Sequence, residues 1–192
     1  ESRGLGDVYK RQRYGFVMGG GKPKGAFVPK KEDVVPPCAV KTLPVQDGDV
    51  FDLGGVQIEA IAVPGHTVGT MVYLDRARRV LYSGDACNAN TLLGLPCSTT
   101  VETYAQSLDH LATYLKGIDK FYGGHGLQAV PAYIVDEALI LCEEILSDDD
   151  DRFETEFLGR KFLYARKFDG MFHREDGGIA NIAYVMEKVY NK

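Results

Sequence analysis

The chain has 192 residues, of which 45% are hydrophobic and 26% charged, and this balance is typical of a soluble globular domain with one core. Its formal net charge of −5 disfavours binding to nucleic acid, because such binding requires a basic surface that displaces counterions. No apolar run approaches the roughly 20 residues of a membrane-spanning helix, so we expect no membrane partner. The four cysteines lack CxxC spacing, which favours free thiols in a reducing compartment and predicts a cytoplasmic protein.

The N-terminal part of the chain is poor in regular patterns. Residues 1–12 resemble translated adapter or read-through sequence, and we interpret them as a non-native scar; a genuine but divergent N-terminus is the alternative. Residues 13–192 then form the domain, with 152–192 as a C-terminal extension. Gly19–Gly25 and Pro29–Pro37 are predicted loops, since Gly and Pro are dense in both. The first contains Gly-Gly-Gly-Lys but lacks the GxxxxGK[ST] spacing of a phosphate loop, which favours a connector.

Alternation of apolar and polar residues from position 45 onward predicts consecutive short strands. The expected strands are Val50–Leu53, Val56–Val63, Thr70–Leu74 and Arg79–Tyr82. The pair Gly54-Gly55 separates the first two, and Asp75–Arg78 is typical of a hairpin turn. Short strands in succession predict one sheet of a sandwich.

A first helix is predicted after these strands. It begins with a capping box, in which Thr99 accepts a hydrogen bond from the N3 amide and Glu102 reaches back. An apolar stripe at helical spacing then indicates packing on a sheet. The stripe consists of Val101, Tyr104, Leu108, Leu111 and Leu115. His110 lies off the stripe and is expected to be an exposed residue that binds no metal.

A second helix is expected to begin at Pro131, a favoured residue in a first turn, and to bury two adjacent apolar lines. We interpret the acidic run Asp148–Asp151 that ends it as a solvated loop, because like charges at a helix C-terminus oppose its dipole. Phe162–Ala165 and Ile179–Val185 are predicted strands of the extension. His173 lies between them and is expected to be an exposed loop residue.

Three motifs place a metal-competent side chain directly after an apolar run. They are Pro64-Gly65-His66-Thr67, Ser83-Gly84-Asp85 and Gly123-Gly124-His125. His66 and Asp85 are 19 residues apart, and Asp85 and His125 are 40 apart. No single helix or hairpin gives this spacing, whereas three strand ends at one edge of a sheet would. Each residue alone is ordinary, but the ordered set favours a shared site.

These motifs, PGHTxG, SGD and GGHG in this order, resemble the C-terminal metal-ligand motifs of the metallo-β-lactamase fold hydrolases over residues 40 to 146. The resemblance implies an α/β fold, namely the C-terminal half of an αββα sandwich with a mixed sheet and flanking helices. It further implies that His66 binds a first metal, that Asp85 bridges two metals and is catalytic, and that His125 binds the second.

The chemistry of such a site explains the residue types. Imidazole is a good ligand for zinc or iron, and a carboxylate between two cations offsets their repulsion. Metal-bound water falls in pKa from 15.7 to roughly 7, which gives a hydroxide for attack on an ester, thioester, lactam or phosphoester. Gly65 and Gly124 are expected to permit tight turns, and Thr67 to orient the ligands. Cys87 is near Asp85 in sequence but is expected to be a packed free thiol.

The HxHxDH motif of the family, which supplies ligands ahead of the PGHT strand, is missing, since no histidine precedes His66. We therefore expect a fragment of a zinc-dependent hydrolase of a small-molecule substrate, inactive by itself. Two alternatives stay open: an iron-dependent redox member of the same fold, of flavo-diiron or sulfur dioxygenase type, and a non-catalytic binding module. An uncovered sheet face, bearing Val56, Ile58, Ala60 and Ala62 or their neighbours Ile61 and Val63, is expected to permit homo-oligomers.

Overall fold

A computed structural model of the chain describes residues 42–125, 129–157, 160–169 and 173–191. The helices and strands named below all lie within one compact unit, Val45–Lys192. The expected scar at 1–12, the two glycine- and proline-rich loops and Cys38 lie outside the described residues.

The larger sheet has six strands in the order β1-β2-β3-β4-β6-β7. Their bounds are β1 Val50–Asp52, β2 Gln57–Ala62, β3 Met71–Asp75, β4 Val80–Gly84, β6 Lys120–Gly123 and β7 Val130–Pro131. The strands β1 to β4 form an antiparallel meander, and β6 joins β4 in parallel. The four strands predicted before the first helix are thus confirmed to within two residues.

A second sheet has four strands in the order β5-β10-β9-β8. Their bounds are β5 Thr91–Leu92, β8 Phe153–Phe157, β9 Arg160–Tyr164 and β10 Ile182–Tyr184. Here β5 pairs in parallel with β10, while β8, β9 and β10 are antiparallel. The C-terminal extension therefore builds most of this sheet, and its strand β8 was not predicted from sequence.

Two helices, α1 Val101–Ala112 and α2 Ile134–Leu146, pack side by side and connect the sheets, since α1 contacts β2 and α2 contacts β10. The predicted apolar stripe of α1 is buried from Val101 to Leu111, and both predicted lines of α2 supply core residues. The main core joins these helices to inward side chains of β2, β3, β4, β6 and β10. The predicted mixed α/β fold with flanking helices is confirmed.

The predicted helix starts are wrong by small amounts. Thr100, rather than Thr99, caps α1, because its hydroxyl accepts a hydrogen bond from the Thr103 amide at 3.1 Å. Glu102 does not reach back but accepts from the amide of Asn191 at 2.8 Å. Pro131 ends strand β7, and α2 begins three residues later. Proline suits an edge strand as well as a first helical turn, so the residue alone did not decide.

The acidic run after α2 is not simply solvated, which corrects the prediction. The Asp150 side chain is fully buried and accepts a hydrogen bond from the Tyr184 hydroxyl at 2.6 Å. The guanidinium of Arg152 lies 3.1 Å from the same carboxylate and also bonds Asp148. One member of the run thus ties the end of α2 to the second sheet.

Strand β2 is better covered than the sequence suggested. Ile61 and Val63 are fully buried in the main core, and Ala60, on the opposite face, is buried as well. Val56, Ile58 and Ala62 are half-buried. The expected uncovered face is therefore limited to Ile58 and Ala62 of the strand and Val56 just before it, and self-association remains a prediction.

Among the described residues, Cys87, Cys97 and Cys142 are all free thiols, as predicted. No helix in the described ranges has the length and apolar character needed to cross a membrane.

Candidate metal centre

Strand direction brings the three candidate ligands to one edge of the larger sheet. Both β2 and β4 pair antiparallel with β3, so they run the same way, and β6 is parallel to β4. His66, Asp85 and His125 each follow the carboxyl end of one of these strands. The Asp85 carboxylate lies 4.0 Å from Nε2 of His66 and 3.3 Å from Nε2 of His125, and it uses a different oxygen toward each ring.

His66 is held by backbone acceptors. Its Nδ1 lies 3.0 Å from the carbonyl oxygen of Leu92, which can only accept, so Nδ1 carries the proton. The Nε2 lone pair is then free and faces Asp85. The carbonyl of His66 itself accepts a hydrogen bond from the Ser98 hydroxyl at 2.8 Å, and the same hydroxyl lies 3.2 Å from the Leu92 carbonyl. Both the ring and the backbone of His66 are therefore fixed by the loop that begins at β5.

Asp85 sits in a confined turn. Gly84 precedes it with φ of +52°, a conformation that a residue with a Cβ rarely adopts. The Gly84 carbonyl accepts from the Gly124 amide at 2.8 Å, which joins the turns after β4 and β6. Among the described residues, Oδ1 of Asp85 is buried and has no hydrogen-bond partner. Nε2 of His125 lies 3.3 Å from Oδ1 without forming a hydrogen bond, and the Asp85 side chain as a whole is 35% exposed. A buried carboxylate oxygen that makes no hydrogen bond is suited to a cation.

The glycines of the motifs are required for space. A Cβ on Gly124 would lie 2.6 Å from Oδ1 of Asp85, and a Cβ on Gly65 would lie 2.3 Å from the ring of Tyr104. Neither glycine has a positive φ, so the predicted need for conformational freedom falls instead on Gly84. The Gly124 backbone thus forms one wall of the carboxylate's pocket.

Of the two residues expected near the ligands, Thr67 does not have its predicted role and Cys87 does. Thr67 does not orient the ligands through its side chain, because its hydroxyl pairs with that of Thr70 at 2.9 Å. Cys87 is a packed thiol, as expected, and its Sγ contacts the carbonyl oxygen of Ile134 at 3.7 Å. Burial raises the pKa of the Cys87 thiol to about 12, so a thiolate ligand is disfavoured there.

His125 is far more exposed than His66, and the other two histidines lie away from Asp85. The His125 side chain is 83% exposed and directly precedes residues 126–128, which lie outside the described ranges. His110 lies on α1, and its Nε2 is 3.1 Å from the Asp47 carboxylate. His173 pairs with Asp169. The structure thus gathers only the three predicted site residues and keeps the other two histidines in separate pairs.

The two imidazoles and one carboxylate are suitable ligands for a divalent cation, but they are too few to complete a metal site. Tetrahedral zinc bound to nitrogen and oxygen at its usual distances holds the two atoms about 3.4 Å apart. The 3.3 Å separation between His125 and Asp85 fits this value, whereas the 4.0 Å separation between His66 and Asp85 would have to shorten. The protonated Nδ1 of His66 on a carbonyl is also the arrangement that metal-binding histidines adopt. Within the described residues, however, no group of three or more His, Cys, Asp or Glu side chains is arranged to hold a metal ion.

Sequence reasoning missed the residues that hold His66, namely Leu92 and Ser98. Leu92 acts through its backbone carbonyl, which has no side-chain signal. Ser98 precedes two threonines and was indistinguishable from a helix-capping residue.

Residues 8–152 match the family model of the metallo-β-lactamase superfamily. The chain belongs to that superfamily. Two curated relatives of the chain are named as hydrolases, one of acyl-coenzyme A thioesters and one of hydroxyacylglutathione. The superfamily also binds metal ions, typically zinc, which accords with the donor chemistry at Asp85.

Curated relatives match only part of this superfamily member. Acyl-coenzyme A thioesterase MBLAC2 of Bos taurus is 31% identical over 86 residues, which are 44% of the chain and 31% of the relative. Hydroxyacylglutathione hydrolase of Brucella anthropi is 36% identical over 101 residues, which are 50% of the chain and 36% of the relative. The chain thus spans about a third of the length of each of these relatives.

Solved structures of the superfamily align as well. The metallo-β-lactamase family protein TTHA1429 from Thermus thermophilus has a TM-score of 0.46 and 22% identity, and the alignment covers 77% of this chain and 50% of that one.

Proposed function

We propose that this chain contributes His66, Asp85 and His125 to the zinc centre of a hydrolase that cleaves acyl thioesters. The observation that carries the proposal is the placement of one carboxylate between two imidazoles, with its buried Oδ1 making no hydrogen bond. A structural ion pair would instead satisfy both carboxylate oxygens by hydrogen bonds.

The substrate class is inferred from two relatives. One is named a thioesterase of acyl-coenzyme A and the other a hydrolase of hydroxyacylglutathione. Coenzyme A and glutathione are both thiols that carry acyl groups, so a thioester is the substrate that these two names share. Both matches are partial, which is why the class, and no individual substrate, is proposed.

Each protein group has a defined task in this proposal. His66 presents the Nε2 lone pair because Leu92 holds the proton on Nδ1. Asp85 directs Oδ2 toward His66 and Oδ1 toward His125, which allows it to serve two cations. Gly124 leaves room for that carboxylate. A bound zinc ion supplies Lewis acidity and lowers the pKa of a coordinated water.

The number of donors limits what the chain does by itself. From the described residues each cation would receive one imidazole and a share of Asp85, whereas a catalytic zinc usually has three protein ligands. We therefore expect weak zinc binding and no thioester hydrolysis above background for the chain by itself. The same chain joined to an upstream segment with an HxHxDH motif is expected to gain both properties.

Zinc titration by calorimetry and hydrolysis of an acyl-coenzyme A would test the proposal on both proteins. The matched control is His110→Ala, which removes an imidazole that is bound to Asp47 away from the site. Tight, stoichiometric zinc in the chain alone, abolished by His66→Ala, would show that the ligand count is wrong. A joined protein that binds zinc but spares thioesters would refute the substrate class.

A further inference from the structure

Lys188 joins the C-terminus of the chain to the loop beside the metal centre. It ends a short 3-10 helix, Met186–Lys188, outside residues 8–152 that match the superfamily. Its Nζ donates to the carbonyl oxygens of Leu95 at 2.7 Å and of Ser98, and it lies 3.5 Å from that of Pro96. An ammonium group has three donors, so one side chain can gather three carbonyls of the same loop.

The gathered loop is the one that orients His66. The amide of Leu95 donates to the Ser98 hydroxyl at 3.2 Å, and the Ser98 amide donates back to the Leu95 carbonyl at 3.0 Å. The Ser98 hydroxyl in turn contacts the carbonyls of His66 and Leu92. Since the Leu92 carbonyl accepts from His66 Nδ1, a continuous set of hydrogen bonds runs from Lys188 to the imidazole.

The segment that carries Lys188 is itself anchored on α1. The Val189 carbonyl accepts from the Glu102 amide at 3.0 Å. The Asn191 side chain accepts from the hydroxyls of Thr100 at 2.7 Å and Thr103 at 2.9 Å. The backbone around Lys188 is therefore fixed by its contacts with the first turn of α1, and the Lys188 ammonium group lies against the 95–98 loop.

We propose that Lys188 is a positioning residue that holds the 95–98 loop so that His66 keeps its Nδ1 proton on Leu92 and its Nε2 lone pair toward Asp85. The ammonium charge polarises the loop carbonyls and fixes the turn that presents the Ser98 hydroxyl. The C-terminal segment thereby becomes part of the metal centre's architecture. Only the consequence for metal binding rests on the proposed function; the effect on the imidazole does not.

The test compares three variants of the full chain. Lys188→Met removes the charge and keeps the length, Lys188→Arg keeps the charge and donors, and Lys161→Met is the control. Lys161 is an exposed lysine on β9 that pairs with Glu154. Long-range ¹⁵N–¹H spectra at about pH 8, where histidine is largely neutral, report which ring nitrogen of His66 carries the proton.

We expect the wild type, Lys188→Arg and Lys161→Met to show the Nδ1-protonated ring, and Lys188→Met to show a mixture of both tautomers. Zinc affinity should fall about tenfold in Lys188→Met alone, the size of effect known for partners that orient a metal ligand. If Lys188→Met does not fold, Ser98→Ala replaces it and is expected to give the same mixture.

An unchanged His66 tautomer in folded Lys188→Met, or in Ser98→Ala if the first variant does not fold, would overturn the proposal. So would an equal effect of Lys161→Met. A tautomer change in the chain, together with no zinc binding even when the chain is joined to an upstream HxHxDH segment, would uphold the positioning role and count against the proposed function, so the two failures are distinguishable.

Discussion

His66 and His125 reach the same carboxylate from differently built surroundings. The His66 side chain is 21% exposed, its ring is bonded to Leu92, and its backbone is bonded to Ser98. The His125 side chain is 83% exposed, and the only polar contact of its ring within the described residues is with Asp85. The first imidazole is preorganised by a loop, whereas the second depends on Asp85. Preorganisation of His66 therefore comes from the Leu92 carbonyl and the Ser98 hydroxyl, which lie outside the sequence motif that contains the histidine.

Asp85→Asn should have the largest effect on zinc binding, because it removes the carboxylate that both His66 and His125 face. In the chain joined to an upstream HxHxDH segment, zinc affinity is expected to fall about 100-fold, because a shared ligand matters at least as much as the partners that support ligands. The free energy of unfolding without metal should not decrease, since the charge of a carboxylate with a buried, unpartnered oxygen is removed. Calorimetry and chemical denaturation measure the two quantities.

Asp119→Asn is the matched control, because Asp119 is an exposed carboxylate at the opposite end of β6, where it pairs with Arg79. Parallel losses of affinity in both variants would mean that the effect is one of net charge.

Gly124→Ala tests the wall between the two turns. The added Cβ would lie 2.6 Å from Oδ1 of Asp85, so the carboxylate must move. We expect zinc affinity to fall about tenfold and stability to fall by about 1 kcal/mol, as for other small overpacking changes.

Gly69→Ala provides the comparison, because no heavy atom lies within 4 Å of its added Cβ and its φ is not positive. Equal behaviour of the two alanine variants would show that backbone freedom, and not space beside Asp85, is what Gly124 contributes.

His66→Ala and His125→Ala sharpen the comparison in the absence of metal. Removal of His66 should cost about 1 kcal/mol, the usual size of one lost hydrogen bond, because its ring donates to Leu92. Removal of His125 should stay within about 0.5 kcal/mol, as expected of an exposed side chain. Denaturant unfolding followed by circular dichroism measures both, and identical values would contradict the difference in preorganisation.

His110 supplies an internal standard, an imidazole–carboxylate pair away from the metal centre. Burial tends to raise the pKa of Asp47, but the amide of Ala62 and the ring of His110 together hold that pKa below its ordinary value. A lowered pKa in the folded state stabilises the protein above the unfolded pKa of about 3.9, and this stabilisation is lost as the pH falls through the folded value.

Asp47→Asn is therefore expected to be less stable than the wild type near neutral pH and equal to it at strongly acidic pH. The difference in the free energy of unfolding should stay below about 1 kcal/mol, because the side chains of Asp47 and His110 are each 41% exposed and screened by solvent. Thermal unfolding across this pH range measures it, and a gap that persists into strong acid would contradict the assigned direction.

The convergence of the candidate ligands could be predicted because each follows a short apolar run, which is where a strand ends. The support for His66 could not, since Leu92 acts through its carbonyl and Lys188 is 90 residues from Ser98 along the chain. Strand β8 was missed because its Phe-Glu-Thr-Glu-Phe pattern is that of a polar edge strand. The burial of Asp150 depends on partners that only the folded chain brings to it.

Because β2, β4 and β6 run in the same direction, their amino ends lie away from the candidate metal centre, and a spectroscopic label can be attached there. The exposed turn at Ala77 is separated from Asp85 by Arg78, Arg79 and the five residues of β4. At the rise of an extended strand the five residues of β4 alone span about 17 Å. A fluorescent label on that turn would lie within the range over which a bound coloured cation such as Cu²⁺ quenches emission, so metal occupancy could be followed optically without altering any residue of the centre.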